Sequence, residues 1–360
     1  MLRRLILFLP LLWTGMALAA EVTDSTGRSV QVPDQIPHVL PAGPPAAILL
    51  EAIAPDLMVG WPGPLSADAK ALLPGAANHP RIPRLTGRDD VSDKFKALKP
   101  DLVRDYGEVT PRYFDLARTT RQNTGIPTLL FAGSLDNIPR VVREVGAILH
   151  REARAETLAT CAEAMLALPV MPLPAALGAH PRVLYARGAD GLTVTAPDTD
   201  VTEVFKHLGW QVVAPDGQGT VRTSSIDAIA ALDPDIVIFS DPAMRETLTH
   251  PDAWKSVRAI RESHALVAPA LPFGWVEEPP SITRLLGLAW LSGYEPASIA
   301  ATFYAVVYGR ALTPPQLDAV LGGVRSIQQQ EALSCVSPAC VSPACVSPAC
   351  VSPACVYCTF

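Results

Sequence analysis

The sequence predicts an α/β protein of two lobes, each built on a parallel sheet and joined to the other by one long inter-lobe helix. Short apolar runs alternate with helical patterns over residues 39–131, and a second alternation of the same kind covers residues 182–267. Such alternation is typical of Rossmann-like parallel sheets. Between the two stretches, residues 137–168 show no strand signal and carry apolar side chains at helical spacing.

Length and composition exclude several classes of protein. The chain has 360 residues, 49% apolar and 18% charged, which suffices for two domains with their own cores and is too apolar for a disordered protein. The net charge is −6 and lysine and arginine do not cluster, so we expect no nucleic-acid partner. Of seven cysteines, only Cys161 lies outside the last 26 residues, so the globular part has no disulfide framework.

The first residues have the pattern of an export signal. Residues 1–4 are basic, residues 5–12 are apolar, and Ala17 and Ala19 supply the small side chains that precede a cleavage site. The apolar run is shorter than the ~20 residues that a membrane-spanning helix needs. We therefore expect residues 1–20 to be a signal peptide, cut after Ala19 or Ala20, and the mature protein to be soluble in the periplasm.

The predicted N-terminal lobe covers residues 21–136. Pro111 stands at a permitted first-turn position of its helix, and Gly125 and Pro127 end that helix. The strands are expected at 39–40, 57–60, 101–107 and 128–131, and the helices at 48–53, 93–98 and 111–120.

The predicted linking helix covers residues 137–169. Gly146 is a candidate bend, and Pro169, Pro172 and Pro174 end the helix. A rigid helix here is expected to restrict hinge closure, because bending it would break backbone hydrogen bonds.

The predicted C-terminal lobe covers residues 170–325. Its strands are expected at 182–185, 211–213, 235–239 and 265–267, and its helices at 200–208, 225–232, 251–261, 281–292, 296–309 and 314–321. An internal repeat relates the two lobes, because residues 93–103 match residues 227–237 at a constant offset without a gap. Each copy reads as a short helix, a Pro-Asp turn and a buried strand.

Together these motifs resemble a known family. They are the opening segment Val22 to Arg28, the Leu98-Lys99-Pro100-Asp101 motif, the stretch 202–209, and the segments 272–275 and 279–288. Over residues 22–323 the chain resembles the helix-linked substrate-binding proteins of ABC importers for iron–siderophores, haem and cobalamin. The resemblance implies an opening β-hairpin and a monomeric, non-catalytic protein without a cofactor, which works with an ABC permease and its ATPase. We expect its ligand to be a siderophore-type iron chelate. Cobalamin, haem, an oxyanion such as molybdate, or a ligand-sensing role are the alternatives.

Candidate ligand contacts lie in loops at the carboxyl ends of strands, where two-lobed α/β proteins hold ligands. Aromatic rings suit a flat or chelated ligand, and arginine suits anionic oxygens. The candidates are Trp61, Arg88, Tyr106, Arg187, Phe273 and Trp275. The alternative is that the tryptophans cover core edges and the arginines pair with neighbouring carboxylates.

Other site types have little support in the sequence. The seven histidines show no metal-ligand spacing, so no metal site is expected, and there is neither a nucleophile elbow nor a glycine-rich phosphate loop. The resemblance implies that acidic residues dock on the permease, and the matching positions are Asp93 and Asp227, where the family usually has glutamate. Both also lie near predicted helix N-termini, where a carboxylate interacts favourably with the helix dipole.

Residues 326–360 form a low-complexity tail, in which Cys-Val-Ser-Pro-Ala recurs from Cys335. A five-residue period with proline in each unit favours neither helix nor strand. We expect a disordered extension, and the alternative is a thiol-rich metal or redox segment.

Overall fold

The computed structural model describes residues 19–87 and 90–324, so most of the expected signal peptide, Arg88 and the cysteine-rich tail lie outside it. The strands are β1 (Ala19–Thr23), β2 (Ser29–Pro33), β3 (Val39–Pro41), β4 (Trp61–Pro62), β5 (Arg81–Ile82), β6 (Leu102–Gly107), β7 (Thr128–Ala132), β8 (Arg182–Arg187), β9 (Thr193–Thr195), β10 (Gln211–Val212), β11 (Val221–Thr223), β12 (Ile236–Phe239) and β13 (Ala265–Val267). The helices are α1 (Pro44–Ile53), α2 (Ala67–Leu72), α3 (Pro74–Ala77), α4 (Ser92–Ala97), α5 (Pro111–Thr124), α6 (Ile138–Ile148), α7 (Glu152–Leu166), α8 (Glu203–His207), α9 (Ile226–Ala231), α10 (Met244–Thr249), α11 (Arg258–Arg261), α12 (Arg284–Leu291), α13 (Pro296–Val307) and α14 (Pro314–Leu321).

The N-terminal lobe is built on the parallel sheet β3-β6-β7. A parallel bridge between Val39 and Met58 and the parallel pair β4-β5 extend the layer beyond β3. The predicted strand 57–60 is therefore wrong in detail, because a 3₁₀ turn at Pro55–Leu57 leaves only a bridge before β4. Strands β1 and β2 pair as an antiparallel hairpin, as the resemblance implied.

The C-terminal lobe is built on a sheet in the order β11-β9-β8-β12-β13, with β10 also paired to β8. Strands β10, β8, β12 and β13 are parallel to one another, whereas β9 and β11 are antiparallel. The α/β class with parallel sheets is confirmed. The predicted helix 251–261 is broken into the 3₁₀ turn Pro251–Trp254 and α11, because Trp254 turns into the core and meets the Phe239 ring edge-on at 5.3 Å.

The internal repeat has the same local structure in both lobes. Lys99 and Asp233, which are equivalent in the repeat, both have positive φ and follow equivalent short helices. The carboxylate of Asp101 accepts a hydrogen bond from the His38 N–H at 2.9 Å, just before β3, and Asp235 accepts one from the Arg182 N–H at 2.8 Å, at the start of β8. The aspartate of each copy thus fixes the start of the neighbouring parallel strand.

The connection between the lobes is a helical hairpin, so the prediction of one long linking helix is wrong. The chain leaves the helix after Ile148, and His150 takes a left-handed backbone conformation with φ 54° before α7 begins. Arg143 on α6 then pairs with Glu156 at 2.8 Å and with Glu163, both on α7. In one straight helix, Arg143 and Glu163 would stand about 30 Å apart.

The hairpin packs into the main core, which is shared by both lobes. Arg154 on α7 donates hydrogen bonds to the carbonyl of Ala52 at 2.9 Å, in α1, and to the carbonyls of Val306 and Val307 at 2.8 and 2.6 Å, at the end of α13. A cation at two helix C-termini satisfies their last carbonyls and favours the helix dipoles. Among the described residues, we find no helix with the length and apolar character to cross a membrane.

Candidate functional site

A cleft of about 610 Å³ lies between the lobes. Its walls include the segment after β3, the end of β6 and the end of β8, which are carboxyl ends of parallel strands, as the sequence rule expected. The charged lining residues are Arg84, Asp105, Glu108, Arg112, Arg187, Asp200 and Glu277.

Tyr106, at the end of β6, forms part of the cleft wall. Its side chain is buried, and its hydroxyl group has no hydrogen-bond partner among the described residues. Burial raises the pKa of the phenol, while the guanidinium groups of Arg284 and Arg104 act in the opposite direction. At neutral pH the hydroxyl is therefore protonated and keeps its hydrogen available as a donor.

Arg187 and Glu277 form an ion pair on the C-terminal side of the cleft. The Arg187 Nε atom lies 3.2 Å from Glu277 Oε2 and 3.5 Å from Glu278 Oε1. Neither Arg187 Nε nor Glu277 Oε2 forms a hydrogen bond of good geometry with a described residue. Burial raises the pKa of Glu277 to about 7, although Arg187 pulls that pKa down.

Three further carboxyl groups line the cleft. Burial raises the pKa of Asp105, whose carboxylate accepts a hydrogen bond from the Tyr106 N–H at 2.9 Å. Burial also raises the pKa of Glu108, and the charge of Asp200, on the opposite lobe, adds to that rise. Acidic groups from both lobes therefore meet inside the cleft.

Four buried polar groups without a hydrogen bond share this cleft. They are the Tyr106 hydroxyl, the Thr195 hydroxyl, Arg187 Nε and Glu277 Oε2, and both lobes contribute to the set. Buried polar atoms in folded proteins nearly always have a partner, so each unpartnered one calls for an explanation, and a polar ligand in the cleft supplies one for this set. This convergence identifies the cleft as the candidate ligand site.

Three of the predicted contacts lie outside the cleft lining. Trp61 and Phe273 are buried and stacked on each other, with ring centroids 5.6 Å apart and an interplanar angle of 7°. Trp275 is fully buried and meets Trp290 edge-on at 6.4 Å. These three rings are therefore part of the hydrophobic core. A fourth predicted contact, Arg88, lies outside the described residues.

The packing of Trp275 explains how Glu277 reaches the cleft. A Cβ atom on Gly274 would stand 1.5 Å from the Glu277 carbonyl oxygen, and one on Gly287 of α12 would stand 2.3 Å from that of Trp275. Thr283 also donates a hydrogen bond to the Gly274 carbonyl at 3.0 Å. Two glycines thus let the loop fold tightly against α12, and the buried indole anchors the chain two residues before Glu277.

Sequence reasoning brought Tyr106 and Arg187 to the cleft and missed most of its charged residues. Glu108 stands two residues after Tyr106 at the same strand end, so the strand-end rule could have found it. Glu277 is not among the predicted contacts, and its side chain is only 7% exposed. In residues 19–87 and 90–324, no group of three or more His, Cys, Asp or Glu side chains is arranged to hold a metal ion.

The two candidate docking residues lie on the surface, away from the cleft lining. Asp93 stands in the first turn of α4 with its side chain 98% exposed, 3.4 Å from Lys96 Nζ. Asp227 stands exposed in the first turn of α9, where the Ser225 side chain caps the helix by accepting the Ala228 N–H at 3.2 Å. Each carboxylate thus interacts favourably with the dipole of its helix and remains accessible to a partner.

A model of the periplasmic binding protein family matches residues 70–270, more than half of the chain. The chain belongs to this family. Its members are the binding proteins of ABC importers, which work with a permease and an ATPase and are not enzymes. A search of curated proteins finds no match.

Solved structures share the fold. An ABC transporter solute-binding protein from Sulfurospirillum deleyianum superposes with a TM-score of 0.75 at 22% identity, covering 84% of this chain and 99% of its own. The molybdate periplasmic binding protein MolA of a Haemophilus influenzae ABC transporter, bound to molybdate, gives 0.65 at 16% identity, covering 82% and 99%. An ABC-type Fe³⁺-hydroxamate transport protein from Saccharomonospora viridis gives 0.52 at 17%, covering 76% and 97%.

Proposed function

We propose that this protein captures a ferric chelate of the siderophore type in the inter-lobe cleft and delivers it to the permease of an ABC importer. The observation that carries the proposal is the set of buried polar groups in the cleft that form no hydrogen bond. They are the hydroxyl groups of Tyr106 and Thr195 and the ion pair of Arg187 with Glu277. A chelate offers many oxygen atoms at its surface, and such a ligand can pair with donors and acceptors on both lobes at once.

The size of the cleft supports an organic chelate over a bare oxyanion. A volume of about 610 Å³ lies within the roughly 300–1,000 Å³ of small-molecule sites. A tetrahedral oxyanion would fill only a small part of this cleft and would leave most of the lining without a partner.

The chemistry of the lining bears on the other ligands. Among the described residues, the cleft lining contains no histidine, cysteine or methionine, and Tyr106 and Tyr113 are its side chains of a type that ligates haem iron. The fold relatives include a protein bound to molybdate and one named for Fe³⁺-hydroxamate transport, so oxyanion and chelate both belong in the test.

The test is a binding panel on the full mature chain. A ferric trihydroxamate, a ferric tricatecholate, haem, cobalamin and molybdate are titrated by calorimetry and by thermal unfolding. Saturable binding of a ferric chelate is expected, and at 100-fold excess over its Kd it should stabilise the fold by about 2.7 kcal/mol. The gallium form of the same chelate, which has the same charge, should bind equally.

Matched variants locate the binding site. Arg187→Gln and Tyr106→Phe should weaken binding of the chelate, whereas Arg140→Gln, in an exposed ion pair with Glu144 on α6, should leave it unchanged. Binding of molybdate alone, or of no panel member, would refute the proposal. Binding that withstands both cleft variants would place the site elsewhere.

We also propose that the protein is exported to the periplasm and docks on a permease. Cleavage after Ala19 or Ala20 would release a soluble, monomeric protein into the periplasm, and mass spectrometry of the protein purified from the periplasm measures that mature mass. The exposed carboxylates of Asp93 and Asp227 are proposed to dock on the permease. A ligand-sensing role is the competing outcome, in which binding occurs without uptake in a reconstituted importer.

A further inference from the structure

The charge of the cleft interior differs from that of its mouth. Arg84 and Arg112 are exposed and donate hydrogen bonds to the backbone carbonyls of Pro62 and Thr86, at 3.4 and 3.3 Å. The four lining carboxyl groups, those of Asp105, Glu108, Asp200 and Glu277, are each half-buried or buried. The interior is therefore acidic, and Arg187 is the lining arginine that shares it.

The single positive charge of Arg187 is too small to balance the carboxyl groups of this interior. Its Nε atom stands within 3.5 Å of both Glu277 and Glu278, and the contact with Glu277 lacks hydrogen-bond geometry. The Glu277 side chain is 93% buried and its Oε2 atom has no hydrogen-bond partner among the described residues. A buried carboxylate in that condition costs free energy until a cation or a donor reaches it.

Glu108 and Asp200 also call for a positive charge, at the boundary between the two lobes. Glu108 follows β6 in the N-terminal lobe, and Asp200 begins the 3₁₀ turn before α8 in the C-terminal lobe. Like-charged carboxyl groups facing each other across a cleft repel unless a proton or a cation lies between them. Burial and the charge of Asp200 raise the pKa of Glu108, although Arg112 opposes the rise, and the net direction agrees with that geometry.

We infer that the ligand carries a protonated amine, which enters the cleft and pairs with the carboxyl groups of Glu108, Asp200 and Glu277. The inference rests on the proposed function and narrows it to amine-bearing ferric chelates. An ammonium group supplies up to three donors and one positive charge, so it can meet carboxylates from both lobes together. A bare metal ion does not match the same groups, because among the described residues they form no metal-binding cluster.

The experiment compares two probes that differ at the amine and share the same ferric core. Ferrioxamine B carries a protonated amine on a ferric trihydroxamate core that is itself neutral, so the complex has one positive charge. In N-acetyl ferrioxamine B the amine is an uncharged amide. Calorimetry at pH 7.5 on the full mature chain should show the amine form bound about tenfold or more tightly. Glu108→Gln and Asp200→Asn should bring the ratio of the two affinities close to one, whereas Glu246→Gln, at an exposed position of α10, should leave it unchanged.

The outcomes separate this inference from the proposed function. Equal binding of the two probes to the wild-type protein overturns the inference and leaves the chelate proposal standing. Tight binding of an anionic ferric tricatecholate, with neither hydroxamate bound, also overturns the inference and leaves the chelate proposal standing. Failure of every ferric chelate overturns both. The wild-type comparison decides the question even where a variant fails to fold, and circular dichroism identifies such a variant.

Discussion

Arg284 and Glu203 form an ion pair of 3.1 Å in which the guanidinium group is fully buried. Arg284, on α12, also donates to the carbonyl of Asp200 at 2.7 Å and to the carbonyl of Gly133. Glu203 Oε2 accepts the N–H of Leu135 at 2.6 Å. Because Gly133 and Leu135 follow β7, this network ties the N-terminal lobe to the start of α8 beside the cleft.

The first prediction concerns this network. Arg284→Met should lower the free energy of unfolding by about 3–5 kcal/mol, because it leaves a carboxylate and two carbonyls without their buried donor. Urea denaturation measures the loss. The matched variant Arg140→Met breaks an exposed pair with Glu144 and should cost less than about 1 kcal/mol. Similar costs for the two variants would show that the buried network contributes little.

The second prediction concerns pH and Glu277. Burial raises the pKa of Glu277 to about 7 from 4.5, with Arg187 opposing and Glu278 and Asp200 adding to the rise. Between those two pH values the folded state keeps a proton that the unfolded state has released, so stability falls as pH rises through this window. Glu277→Gln should remove that part of the fall, up to about 3 kcal/mol.

The measurement is the free energy of unfolding at pH 4 and pH 8, taken as the difference between variant and wild type. Below pH 4.5 the two proteins should differ least, and at pH 8 the glutamine variant should be the more stable. Glu246→Gln, at an exposed position of α10, is the control and should follow the wild-type curve. A glutamine variant that also follows that curve would contradict the prediction.

The third prediction concerns the close approach of α6 and α7. A Cβ atom on Gly146 would stand 2.1 Å from the Cβ of Ala155. Gly146→Ala should therefore destabilise the fold by about 1–3 kcal/mol through overpacking. This would occur although alanine is the better helix former by about 1 kcal/mol. Thermal and urea unfolding measure the change.

A second substitution tests the cause. Ala155→Gly in the Gly146→Ala background removes the clashing atom and should restore part of the lost stability, whereas Ala155→Gly alone should destabilise the wild type. A double-mutant cycle isolates the interaction between the two positions. Additive effects would mean that the methyl groups do not meet.

The fold class could be predicted from the sequence because buried strands and the turns beside them have recognisable local sequence patterns. The Pro-Asp turns at Asp101 and Asp235 mark equivalent strand starts, and the apolar run before Tyr106 marks a buried strand whose end lies at the cleft. Both signals come from short-range patterns of apolar, proline and acidic residues, which tertiary packing preserves.

The hairpin and most of the cleft depend on long-range packing. The break between α6 and α7 falls on His150, a residue with no turn signal, and the apolar faces on both sides keep helical spacing through it. The sequence predicts Trp61 and Trp275 as ligand contacts, but both side chains are buried in the core. Glu277 reaches the cleft only because the loop around Gly274 folds tightly on α12, a contact that no local pattern records.

The last prediction concerns docking on the permease. Asp93 and Asp227 occupy equivalent positions of the two repeats and are exposed in the first turns of α4 and α9. Asparagine keeps the size and hydrogen-bonding capacity of aspartate and removes the charge. Asp93→Asn with Asp227→Asn should therefore lower the melting temperature only slightly, since each carboxylate gains about 0.3–1 kcal/mol from its helix dipole. Ligand affinity should be unchanged, because neither residue lines the cleft. Ligand-stimulated uptake in a reconstituted importer should fall, and Asp252→Asn, exposed elsewhere on the C-terminal lobe, serves as the control. Undiminished uptake by the double variant would remove these two carboxylates from the docking surface.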